Sequence, residues 1–218
     1  MEVEEVISTT RLDLPRRFSL WHNQELVTFK MASRDDAGDI VAALKESKEH
    51  LSSHFDWVSL PQTYAAQHAR LKTLEQAQFL NEAYNFHLYR SSKLMGSFSI
   101  HCRQTGEGPD WEMGYWIHPE CLRQGFGTLA LCSGLWLQRE FLTGNVYLQV
   151  HIHNQRGLQF LAKNNLRAES MTTRTNLLGV QEDMMIFRPW NIKKPNFESS
   201  AVDYMIERWT LKLIEVEW

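Results

Sequence analysis

A chain of 218 residues can bury the core of one large domain and still carry short appendages. Its 43% hydrophobic and 22% charged content is that of an ordinary soluble globular fold, which excludes a disordered or fibrous class. A formal net charge of -3 gives no general attraction to nucleic acid or to an anionic membrane, so any basic site must be local. Cys102, Cys121 and Cys132 are too few and too irregularly spaced for a disulfide framework or a zinc cluster, which points to a reducing compartment. The first residues are acidic (Glu2, Glu4, Glu5), and no apolar window of about 18 residues occurs, so the expectation is a soluble cytoplasmic protein with no membrane partner.

Residues 1–23 read as an N-terminal extension with weak periodicity and an Arg16-Arg17 pair beside Pro15. Alternation from Leu26 to Met31 predicts a first strand. Ser33 or Asp35 can cap a helix through Ile40, Val41, Leu44 and Lys48, and Pro61 starts a second that reaches toward Tyr84. The period then changes to two. Asn85 to Arg90, Leu94 to Arg103 and Trp111 to His118 predict three strands, with a turn at Gly106 to Pro109 before the last. A helix carries Leu129, Leu131, Leu135, Trp136 and Phe141 until Gly144-Asn145 stops it. Val146 to His153 is a strand, Asn154 heads a helix through Leu158, Phe160 and Leu161, and strands follow around Met171 to Leu178 and Met184 to Arg188. Residues 191–218 form a C-terminal appendage in which Val202, Met205, Ile206 and Trp209 have helical spacing. It is too apolar for a free tail, so it should pack on the domain or on a second subunit, leaving a homodimer open. This order implies an α/β (α+β) fold, a mixed sheet with helices on its faces.

The densest chemical signal is the strand Glu112-Met113-Gly114-Tyr115-Trp116-Ile117-His118, ended by Pro119 and followed by Arg123-Gln124-Gly125-Phe126-Gly127-Thr128 and an apolar-periodic run. Glycines at 125 and 127 let backbone amides approach a ligand, and the helix dipole adds positive potential, so the expected guest carries phosphate. A plain strand-to-helix turn would have the same pattern. No Gly-Lys-Ser/Thr follows, which removes a P-loop, and no acidic residue lies between Glu140 and Glu169, which disfavours a dinucleotide fold.

This run resembles the acetyl-CoA-binding core of the GNAT acyltransferases, in particular the RimJ/RimL-like branch of ribosomal-protein N-terminal acetyltransferases. The resemblance continues at Asn154, Phe160, Lys163 and Leu166 and at Leu51 to Val58, and spans residues 24–190. It implies the GNAT fold, a mixed and mostly antiparallel sheet flanked by helices. It also implies transfer of an acetyl group from acetyl-CoA, the co-substrate, to a primary amine by direct attack in a ternary complex. The acceptor is then the α-amino group of a protein or peptide, or alternatively a small-molecule amine; a non-catalytic acyl-CoA-binding module is the reading from another class. By the same resemblance, Ile117 holds the pantetheine arm, Arg123, Gln124, Gly125, Phe126, Gly127 and Thr128 the pyrophosphate, and Asn154, Phe160 and Lys163 complete the cofactor site. Leu122 stands where the family has Gln or Arg, Leu161 where many members have an acidic tyrosine, and Gly157 where the branch often has serine.

Acetylating an amine requires a neutral nucleophile and therefore a group that removes a proton. Glu112 is the first candidate base, its alternative being a sheet-surface carboxylate. His151 and His153 are expected on one strand face without a clear third ligand, so no metal is predicted. His101 and His118 are base-or-bystander positions. Trp57, Trp111 and Trp116 fit either the core or a substrate groove.

Overall fold

The computed structural model describes residues 14–105, 108–189 and 213–218. Strands β1 (Arg17–His22) and β2 (Glu25–Met31) form a hairpin. Its two turn residues, Asn23 and Gln24, both have positive φ, at 50° and 65°, the conformation a tight two-residue hairpin requires. Residues 17–22, expected from the sequence to belong to an N-terminal extension, instead pair with β2 inside the sheet. Helix α1 (Ala37–Ser52) follows a short turn in which the Ser33 amide donates to Asp36 Oδ2 at 2.9 Å. Helix α2 (Tyr64–Phe79) is capped by Thr63, whose hydroxyl accepts the Ala66 amide at 3.2 Å, and so starts three residues after Pro61. It also ends earlier than expected. Asn81, at φ 58°, reverses the chain so that Tyr84 becomes a buried residue of β3 (Ala83–Arg90); Asn tolerates this left-handed geometry.

Strands β4 (Lys93–Thr105) and β5 (Gly108–Ile117) continue the antiparallel meander; the predicted turn before β5 lies partly outside the described residues. Helix α3 (Phe126–Phe141) crosses over to β6 (Asn145–His151). Gly144 permits this entry: its φ is 93°, and a Cβ there would lie 1.9 Å from the Pro109 carbonyl oxygen. Helix α4 (Gln155–Lys163) precedes the hairpin of β7 (Leu166–Thr175) and β8 (Gln181–Pro189). β7 begins five residues before the expected Met171, and β6 stops at His151 rather than His153. β9 (Leu213–Glu217) pairs with β1, so the described end of the C-terminal appendage packs on this chain; the predicted helix through Val202 to Trp209 lies outside the described residues.

The sheet order is β7-β8-β6-β5-β4-β3-β2-β1-β9, antiparallel except for β5 with β6. Alternation along each strand feeds two cores. One lies under α3 and contains Phe18, Phe29, Phe86, Phe98 and Met113. The other face is covered by α1 and α2, with Ile40, Leu44, Leu51, Leu94 and Trp116 in one cluster and Leu71, Leu74 and Ala83 in the next.

Candidate active site

The single parallel contact of the sheet is short. Asp110, Trp111 and Glu112 pair with Asn145, Val146 and Tyr147, and there the ladder stops. β6 turns away to pair with β8 from Leu148 onward, while β5 continues to Ile117 held on one edge by β4. Among the described residues no strand covers the other edge of β5 from residue 113 to 117. Backbone amides and carbonyls left open in this way need a partner, and a ligand that itself carries amides can supply it.

A cavity of about 530 Å³ fills the split, between β5 residues 113–117, β6 residues 148–151, α4 and the loop before α3. Gly125 enters α3 at φ 86° and Arg123 stands at φ 60°, two left-handed residues that bend the loop around the helix start. The first amides of α3 have no helical carbonyl partner, and they sit at the positive end of the helix dipole. Opposite them, Asn154 Oδ1 accepts the Gly157 amide at 2.9 Å and caps α4. Tyr115 and Phe160 pack with ring centroids 5.7 Å apart, and Phe160 abuts Gly127.

A second cavity of about 600 Å³ opens on the opposite face, under α1 and α2, and meets the first at Phe55, Gly114, Tyr115 and Trp116. Its floor is polar: Asn85 from β3 and Ser97, Ser99 and His101 from β4. Ser97 Oγ donates to Asn85 Oδ1 at 2.6 Å, and Ser99 Oγ lies 3.7 Å from where a Cβ on Gly114 would be. Trp57 and Leu60 wall it from the α1–α2 connection.

The acetyltransferase (GNAT) domain model matches residues 27–167. The chain belongs to the GNAT acetyltransferases. Solved structures with the same fold include Mycobacterium smegmatis RimJ in complex with CoA-disulfide, at 16% identity and TM-score 0.75, covering 94% of this chain and 97% of that one. A ribosomal-protein-S5-alanine acetyltransferase from Vibrio fischeri is 17% identical with TM-score 0.66 over 80% of this chain and 97% of its own. The microcin C7 self-immunity acetyltransferase MccE, in complex with acetyl-CoA and AMP, is 14% identical with TM-score 0.67 over 76% and 92%. A search of curated protein sequences finds no significant match.

In this GNAT enzyme Ile117, Arg123, Gly125, Gly127, Thr128, Asn154 and Phe160 line the 530 Å³ cleft, so seven of the residues predicted to hold acetyl-CoA converge there. Gln124, Phe126 and Lys163 do not line it. The Gln124 side chain donates to the Glu120 carbonyl at 2.6 Å, and the Gln124 backbone carbonyl accepts from Asn23 Nδ2 at 3.0 Å and lies 2.7 Å from His22 Nε2. Phe126 is buried, with its ring 4.8 Å from that of His22. Lys163 is exposed on the last turn of α4. The β1–β2 turn therefore braces the loop before α3 from behind, a contact between residues about a hundred positions apart that no local pattern announces.

His50, His54, Arg156 and Arg174 also line the cleft and escaped the sequence reading. Burial lowers the His50 pKa, and the positive field of His54 and Arg156 adds to it. Arg156 sits in the first turn of α4, where a cation opposes the helix dipole; an anionic guest would remove that conflict. At Gly157 a Cβ would come within 2.8 Å of Asn154 Nδ2 and 3.0 Å of Val150 Cγ1, so a serine there would crowd the cap.

Glu112 points to the same face as His101, its register partner on β4, but it does not line either cavity. Arg103 holds its carboxylate with two donors at 2.8 and 3.0 Å. His101 does line the second cavity, and burial lowers its pKa, with Arg103 acting in the same direction and Glu112 opposing. His153 lies beyond the strand, and its amide donates to His151 Nδ1 at 3.1 Å. His118 contacts Glu46 at 3.2 Å, while the Lys93 ammonium bridges Glu46 and Glu120 at 2.9 and 2.8 Å and already supplies that acidic group with a cation. Trp111 belongs to the core and donates to the Thr143 carbonyl at 2.7 Å, whereas Trp57 and Trp116 face the second cavity.

Proposed function

We propose that this GNAT enzyme acetylates the α-amino group of a protein or peptide. The observation that carries the reading is the pair of cavities that share Gly114, Tyr115 and Trp116 across the split sheet. Acetyl-CoA lies in the first with its pantetheine amides along the open edge of β5, and the amine reaches the thioester from the second. The cleft-lining residues then act as backbone donors (Arg123, Gly125, Gly127 and Thr128), as an aromatic wall (Phe160) and through the α4 cap (Asn154).

The amine nitrogen attacks the thioester carbonyl carbon, a C–N bond forms and the C–S bond breaks. The proton released by nitrogen passes to the neutral imidazole of His101, and the Glu112 carboxylate stabilises the imidazolium that results. The departing thiolate takes its proton from solvent, because burial pushes the phenol of Tyr115, which borders both cavities, up to a weaker acid than a thiol. A base weakened by burial suits an α-ammonium, with a pKa of about 7.7–8.0, better than a lysine at about 10.4. An exposed apolar rim supports a macromolecular acceptor: Leu177 and Leu178 at the β7–β8 tip are 61% and 68% exposed, and Leu177 is tied through its amide to Asp56, just before Trp57 and Leu60. The reading takes residues 24–190 as the core of the transferase domain, to whose sheet β1 and β9 add two strands, and the cytoplasm as its compartment. A homodimer through the C-terminal appendage is tested by its mass in solution.

The deciding experiment offers acetyl-CoA with a panel of N-terminal peptides and small amines and follows thiol release. Peptides should be the better acceptors; turnover confined to small amines would transfer the assignment to them. In the same assay Glu112→Gln should keep acetyl-CoA binding and lose turnover, and equal turnover by variant and parent removes Glu112 from the proton path.

A further inference from the structure

Arg70 is the only permanently charged side chain that lines the acceptor cavity among the described residues. A relay of hydrogen bonds fixes it. Gln62 Nε2 donates to the carbonyls of Trp57 and Leu60, at 3.0 Å each; Gln67 Nε2 donates to Gln62 Oε1 at 2.5 Å; and Arg70 Nε donates to Gln67 Oε1 at 2.8 Å. Gln67 is itself buried, at 4% exposure, so the relay is part of the packed structure rather than a surface accident. Among the described residues only Nε of the guanidinium is used. Among the described residues no carboxylate meets its terminal nitrogens, whereas Arg34, Arg90, Arg103, Arg139, Arg174 and Arg188 each have one. The residue stays open to solvent, yet the surrounding atoms desolvate the guanidinium enough to lower its pKa. Its charge is also felt at His101 on the floor of the same cavity.

A fixed fork of N–H donors facing an open cavity is the geometry that recognises a carboxylate. The cavity has no aspartate or glutamate in its lining among the described residues, so a second ammonium on the acceptor would meet Arg70 without a counter-charge. We propose that Arg70 is the anion anchor of the acceptor cavity, and that the acceptor is a primary amine bearing a carboxylate. That carboxylate is supplied either by an acidic residue next to the peptide N-terminus or by a free amino acid. The inference rests on the transferase reading above and narrows it.

Matched acceptors test it: a peptide beginning Ala-Glu against one beginning Ala-Gln, both C-terminally amidated, and alanine against alaninamide, each with acetyl-CoA. A charged hydrogen bond of about 1.5–3 kcal/mol corresponds to a kcat/KM preference of roughly 10- to 100-fold for the acid member of a pair. The pair that has this preference identifies the source of the carboxylate. Arg70→Gln should bring the ratio to about one, and Arg70→Lys, which keeps the charge without the fork, should retain part of it. Equal rates within both pairs, an unchanged ratio in Arg70→Gln, or spermidine as the best acceptor would each overturn the proposal. If no amine is turned over, calorimetry with CoA-loaded protein separates the two ideas. Arg70-dependent preference for the acid peptide in binding retains the anchor and sinks acetyl transfer; no preference sinks the anchor.

Discussion

The two cavities on either side of β5 are built by opposite means. The cofactor cleft is made largely of backbone: a strand edge that loses its partner after Glu112, a left-handed Gly125 and the free amides of a helix start. The acceptor cavity is made of side chains from α1, α2, β3 and β4, held by a relay of glutamines over a polar floor. Backbone sites bind a constant ligand and tolerate change in most side chains; side-chain sites select.

The sharpest way to separate the two regions is His101→Asn, which removes a proton acceptor from the acceptor side alone. It should lower kcat by about 100- to 10,000-fold with the acetyl-CoA dissociation constant unchanged. In the parent, activity should fall as pH drops through the lowered pKa of His101, because the imidazolium can no longer take a proton. The acid limb of kcat/KM should therefore lie below the ordinary imidazole value of about 6.5. A parallel loss of cofactor affinity, or an acid limb above that value, would break the division of labour.

Acid stability should also map to the acceptor face. His87 is fully buried on β3, its ring nitrogens have no hydrogen-bond partner among the described residues, and burial lowers its pKa to about 4. The unfolded chain binds this proton first, near the ordinary value of 6.5. Stability is thus complete above that pH and is lost progressively as pH falls toward about 4, by on the order of 3 kcal/mol. Chemical denaturation at several pH values should give a flatter profile for His87→Leu; an equally steep one would assign the acid sensitivity elsewhere.

On the cofactor side Gly125→Val forces a β-branched residue into a left-handed position, which costs at least ~1–2 kcal/mol. Acetyl-CoA affinity should fall about tenfold or more by calorimetry, and the milder Gly125→Asn should recover most of it; equal losses would point to side-chain bulk rather than backbone conformation. The smallest effect is expected from deleting residues 213–218, which uncovers the edge of β1 and the ring contact of Trp218 with Phe141. A loss of ~1–2 kcal/mol should lower Tm by about 2–8 °C. An unchanged Tm would mean that β9 adds nothing to the sheet.

Most elements were legible because their signals are local. The alternation in Leu94 to Arg103 marks β4, the spacing of Leu129, Leu131 and Leu135 marks α3, and Gly125 and Gly127 mark the loop between strand and helix. The errors fell where two periods fit the same residues. Tyr84 suits the end of an apolar helix face as well as a strand, and Asn81 decided between them. β1 was missed because its burial comes from β2 and β9, one of them near the far end of the chain.

The sequence by itself determined the class of fold, the glycine-bearing turn between strand and helix, and the family, since each depends on residue types at fixed short spacings. Only the tertiary structure decided which groups line the two cavities. It left Glu112 bound to Arg103 beside His101, took Gln124, Phe126 and Lys163 out of the cleft lining, and put Arg70, with no counter-ion among the described residues, into the acceptor cavity. The physical reason is that charge, burial and an unpaired donor are properties of neighbours in space, and here those neighbours come from strands and helices tens of residues apart.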